Sequence, residues 1–175
     1  MKLFNAVLLS VLCAASAAAQ PATNFVSQLE PLRPFLKTWK GHFKNSTPEK
    51  PNFDIQKWER ALNGRAIRIL HSVNNGSYGG ETIIAPNPKT SVLEFHYFTT
   101  AGFQTRGTID FDGKKMSTQE EVTGSEHGIT KVKSTTELLA NGKMRVITEY
   151  YKQGAWEHGR DMTYEESPGA EVKFR

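Results

Sequence analysis

Ala66-Ile67-Arg68-Ile69-Leu70-His71-Ser72-Val73 runs into Asn74-Asn75-Gly76-Ser77 and out again as Tyr78-Gly79-Gly80-Glu81-Thr82-Ile83-Ile84-Ala85. Two segments rich in β-branched and aromatic residues flank a cluster of turn formers, and in the first segment Ile67, Ile69, His71 and Val73 alternate with Ala66, Arg68, Leu70 and Ser72. An Asn-Gly pair supplies the positive-φ positions that a tight hairpin needs. The stretch reads as a β-hairpin, and the same grammar extends both ways. Trp39–Lys44 and Phe53–Leu62 precede it as candidate strands. Val92–Thr99, Phe103–Phe111, Lys115–Val122, Thr130–Leu138, Lys143–Tyr151 and Glu157–Glu166 follow it. Turn signals such as Asn63-Gly64, Pro86-Asn87-Pro88, Asp112-Gly113 and Asn141-Gly142 separate them. About ten consecutive strands with short connections and no intervening helix predict an all-β, antiparallel up-and-down barrel, closed so that no strand edge is left unpaired. Before Trp39 alone the spacing is helical: Phe25, Leu29 and Leu32 recur, Phe35 and Leu36 continue the stripe, and Pro31 and Pro34 limit it to a short helix and a further turn.

The composition agrees with one globular domain. In 175 residues, 38% are hydrophobic and 23% charged, with a formal net charge of +4, which excludes disorder, a coiled coil and a multi-pass membrane protein. Met1 and Lys2, an apolar run from Leu3 to Leu12 and the small residues ending at Ala19 read as a secretory signal peptide. Residues 1–19 are therefore the expected leader and 20–175 the single mature domain, exported to a periplasm or the extracellular space, with no membrane span. The only cysteine, Cys13, falls in the leader, so the mature domain has no disulfide and no thiol nucleophile. Asn45-Ser46-Thr47 and Asn75-Gly76-Ser77 fit the glycosylation pattern, which matters only in a glycosylating host.

Several strand faces are apolar at their ends and polar in the middle: Met116, Thr118, Glu120 and Val122; Val132, Ser134, Thr136 and Leu138; Met144, Val146, Thr148 and Tyr150; His158, Arg160, Met162 and Tyr164. A solid core would leave these polar groups without partners, whereas a barrel around a cavity can turn them toward water or a ligand. The five histidines form no metal-binding spacing. Glu94 and His96 share a strand face, where a carboxylate could orient an imidazole for acid–base work. There is no Gly-x-Ser-x-Gly elbow. The lysines alternate with acids and lack an aromatic platform, so nucleic acid is not an expected partner.

Leu36-Lys37-Thr38-Trp39-Lys40-Gly41, at the start of the first strand, resembles the opening of calycin barrels, although Lys37 stands where lipocalins place glycine. Leu62-Asn63-Gly64-Arg65-Ala66-Ile67, Tyr78-Gly79-Gly80-Glu81 and Gly107-Thr108-Ile109-Asp110 resemble, in the same order, a family of small exported lipocalin-like proteins of unknown function. The resemblance implies a calycin-like barrel with the helix plugging one end, Trp39 at its floor and a late basic residue, Arg160, packed over that tryptophan. A related barrel family binds haem through a late histidine, but Trp156-Glu157-His158-Gly159 lacks that family's context. No cofactor is expected, haem at His158 being the one alternative. The reading is a barrel that holds a small, mainly apolar molecule, with His71, His96, Glu120, Tyr150, His158 and Arg160 as orienting polar groups. Two other classes fit the same residues: a cavity enzyme of isomerase, cyclase or hydrolase type using Glu94, His96 or Glu120, and a filled barrel that acts through its surface. No oligomeric state is assigned.

Overall fold

The computed structural model describes residues 24–175, so the expected leader lies outside the described residues. A 3-10 helix at Ser27–Phe35 leads into ten strands: β1 (Thr38–His42), β2 (Phe53–Ala61), β3 (Ala66–Val73), β4 (Tyr78–Pro86), β5 (Leu93–Thr99), β6 (Gln104–Asp112), β7 (Lys115–Thr123), β8 (Ile129–Leu138), β9 (Met144–Lys152) and β10 (Ala155–Glu166). Each strand pairs antiparallel with its neighbour in sequence, and β1 pairs with β10 to close the barrel. The predicted strands are all present, their ends shifted by a residue or two. The turn chemistry works as read: Asn74 and Asn75 take left-handed φ values of 47° and 58° ahead of Gly76.

The helix differs from the expectation. Instead of a helix broken at the prolines, one 3-10 helix runs through Pro31 and Pro34. Leu29, Leu32 and Phe35 recur every three residues, the period at which 3-10 side chains eclipse, so all three point the same way and all are buried. They plug the end of the barrel. Phe35 stacks on Trp58 at 5.5 Å between ring centroids and meets Phe111 edge-on at 6.3 Å. Trp39 donates its indole N–H to the Phe35 carbonyl at 2.9 Å, and the Val26 amide bonds the Gly64 carbonyl between β2 and β3. The cation beside Trp39 is Lys37, 5.6 Å from the ring. Arg160 lies instead 5.6 Å from Phe43, because a buried carboxylate higher in the barrel holds its guanidinium.

The seam between β1 and β10 is short. It matches Trp39 to Glu166, Lys40 to Glu165 and Gly41 to Tyr164. Past it, β10 carries a bulge: His158 opposes Glu149, yet Asp161 already opposes Ile147, so Gly159 and Arg160 share one partner position. Gly159 permits this, since a Cβ there would lie 2.5 Å from Thr148 Oγ1 and 2.6 Å from the Tyr150 ring. After β10 the chain turns back over the outside of β3, where the Lys173 amide bonds Ser72 Oγ at 3.0 Å. Among the described residues no helix is long and apolar enough to cross a membrane.

Candidate functional site

The end of the barrel opposite the plug holds a cavity of about 240 Å³ that is open to the outside. Inward positions of the strands line it: Phe95 and Tyr97 from β5, Val132 and Ser134 from β8, Val146, Thr148 and Tyr150 from β9, with Phe103 at the rim. A second chamber of about 130 Å³ continues toward Trp58, Ile84 and Met116, sharing Glu120, Phe95 and Val146 with the first. Aromatic and aliphatic walls make up most of the surface. The polar groups gather in two places.

The first is a network behind the wall, centred on Asp54 of β2, which is fully buried. Its Oδ1 accepts from His71 Nδ1 at 3.0 Å. Its Oδ2 accepts from Tyr164 at 2.7 Å, Arg160 Nη1 at 3.1 Å and Gln56 Nε2 at 3.3 Å. His71 Nε2 meets the Tyr97 hydroxyl at 2.7 Å, and that hydroxyl meets Tyr78 at 2.6 Å. Burial works to raise the Asp54 carboxyl, but its bond to His71 and the charge of Arg160 outweigh it, so the group is held below the ordinary 3.8. Tyr97 and Tyr164 are pushed far up, by burial first and then by Tyr78 and Asp54 respectively, and both stay protonated phenols.

The second is Glu120 on β7. Oε1 accepts hydrogen bonds from Thr118 at 3.2 Å and Ser134 at 3.1 Å, and Oε2 from Thr105 at 2.8 Å. Burial raises its carboxyl in spite of these three hydroxyls. A carboxyl whose folded pKa lies above its unfolded value stabilises the fold while protonated and loses that contribution as pH rises through the folded pKa. Glu120→Gln is therefore expected to be more resistant to urea than wild type at pH 7.5, the gap narrowing as the pH is lowered toward 4. Equal midpoints at both pH values would contradict a strained carboxylate.

Of the residues singled out in the sequence, His71, Glu120, Tyr150 and Arg160 lie on the cavity wall. His96 and His158 do not. Leu93, Phe95 and Tyr97 turn inward, so the two-residue period sends Glu94 and His96 outward, where Glu94 accepts from Asn87 at 2.8 Å and His96 stacks on exposed Phe98. An uninterrupted strand would have put His158 on the face of Arg160 and Met162. The bulge at Gly159-Arg160 reverses that alternation, and His158 faces the surface. Glu94 and His96 thus share the outer face, which removes them from acid–base work inside the barrel.

Asp54, Tyr78 and Tyr97 escaped the sequence reading. Tyr97 shares parity with Leu93 and Phe95, and Asp54 shares parity with Trp58, which were the available signals. Among the described residues no group of three or more His, Cys, Asp or Glu could hold a metal ion. No protein-family model and no curated protein matches the chain.

Proposed function

We propose that the protein is an exported barrel that holds one small, mainly apolar molecule in this cavity, with Tyr150, Glu120 and Arg160 fixing its orientation and His71 contributing to the wall. The observation that supports the reading is an unfilled, aromatic-walled space on which a few polar groups converge, the usual anatomy of a ligand site. The size narrows the class. A dry cavity of about 150 Å³ accepts benzene, so this space suits a single ring with a short substituent rather than a lipid or a tetrapyrrole.

Native mass spectrometry of the protein recovered from its own host tests the proposal. A stoichiometric extra mass is expected, lost in Val146→Phe, which fills the wall shared by both chambers. Far-ultraviolet circular dichroism of the variant should be unchanged, because overpacking of this kind costs about 1–3 kcal/mol. A bare polypeptide mass, together with no uptake of small aromatic compounds by the wild type, would overturn it.

The Asp54–His71–Tyr97 chain favours a second reading, since a carboxylate that orients an imidazole against a phenol can move protons. Both ring nitrogens of His71 are committed to protein partners, however, and neither is left for a substrate atom. Binding is the better supported function.

A further inference from the structure

Asp54 and Glu120 both sit in the barrel interior, and the fold treats them in opposite ways. Asp54 lies behind the cavity wall with His71 and the guanidinium of Arg160 against it. Glu120 forms part of the wall itself and has no ion-pair partner among the described residues; its only hydrogen-bond donors are the hydroxyls of Thr105, Thr118 and Ser134. A buried carboxylate without a cation is costly, and residues that merely fill space would serve stability better at this position.

We infer that the missing cation belongs to the ligand: the cavity is built for a small amine whose protonated nitrogen docks on Glu120 and whose apolar body lies among Phe95, Tyr97, Phe103 and Tyr150. This rests on the ligand-holding reading above and names the ligand's chemical class. A carboxylate offers about four acceptor positions. Oε1 already accepts two hydrogen bonds and Oε2 only one, so a single position, on Oε2, is open to a ligand N–H. The three hydroxyls hold the carboxylate in place before anything binds, which lowers the ordering cost of recognition. Aromatic faces around the site attract a cation through their π-electrons. Arg160 does not compete for an anionic ligand on equal terms, because its charge is already matched by Asp54. It stands three strands away along the wall from Glu120, roughly 14 Å at the usual strand spacing.

Isothermal titration calorimetry of the purified protein with phenethylamine, phenethyl alcohol and phenylacetate, three probes of similar shape and different charge, decides the matter. Phenethylamine is expected to bind at least about tenfold more tightly than the alcohol, the scale of a charge-assisted hydrogen bond, with phenylacetate weakest. Glu120→Gln should abolish the preference for the amine and keep the affinity for the alcohol. As the pH is lowered through the raised titration of the Glu120 carboxyl, amine binding should also release protons, seen as a heat that depends on buffer ionisation and disappears in Glu120→Gln. Equal affinity for alcohol and amine, or an amine preference that survives Glu120→Gln, would overturn the amine assignment while leaving a ligand-holding barrel in place. Failure of all three probes to bind the wild type would overturn both.

Discussion

Asp54→Ala is expected to cost about 3–5 kcal/mol of folding stability, the range for removing one partner from a buried ion pair. The loss exceeds that of a single hydrogen bond because four donors are left behind. His71, Arg160, Tyr164 and Gln56 all direct a hydrogen at this carboxylate, and in its absence the Arg160 guanidinium keeps a charge that nothing buried opposes. The bonds also tie β2 to β10 across the short strand β1, so the change loosens the barrel where strand pairing is sparsest. Urea unfolding followed by tryptophan fluorescence measures the effect. The pH dependence identifies its origin. The folded carboxyl lies below its ordinary 3.8, so its stabilisation is fully present above the unfolded pKa and is lost as pH falls through the folded value. The gap between wild type and variant should stay constant from neutrality to about pH 5 and close only below the ordinary carboxylate range. A loss under about 1 kcal/mol, the size of an average single contact, would mean that the network is incidental.

Phe35→Ala should have an effect of similar size, about 3–5 kcal/mol, by a different route. Phe35 is fully buried between Trp58 and Phe111 at the plugged end, and the carbonyl of the same residue receives the Trp39 indole. The prolines and the β-rich surroundings limit how far the helix can slide to refill the space. A cavity therefore remains, and its apolar lining forfeits contacts outright. Phe174 provides the control: it is 49% exposed, and truncating it should change stability by no more than about 0.5 kcal/mol. If Phe35→Ala behaved like Phe174→Ala, the helix would be a strap on the barrel rather than part of its core.

The barrel was legible in the sequence because its information is local. Each hairpin announces itself through a turn such as Asn74-Asn75-Gly76 and through side chains that alternate on either side, so ten strands and their order follow without any long-range knowledge. Apart from Arg160, which faces the cavity from the bulge itself, the site was legible where alternation runs unbroken. His71, Glu120 and Tyr150 lie on regular strands and could be placed on the inner wall. His158 could not, because a bulge is a change of register that leaves no trace in composition, and Gly159 is one glycine among 14. Asp54 was hidden for another reason. Its neighbours Phe53 and Ile55 are apolar and look like the buried set, yet Phe53 turns outward beneath the ammonium of Lys40, 4.6 Å from the ring. Where the outside of a barrel carries hydrophobic residues of its own, polarity no longer tells which face is which.

The order in which the pieces can assemble follows from the seam. Nine of the ten pairings join neighbouring strands and can form as hairpins with little chain to organise, whereas β1 and β10 meet only after everything between them has been synthesised. The bonds from Asp54 to Arg160 and Tyr164 span 106 and 110 residues. They belong to that last event. An open meander has strands but no polar pocket, so the cavity and the network behind its wall arise in one step with closure, and a chain stalled before its final strand has neither.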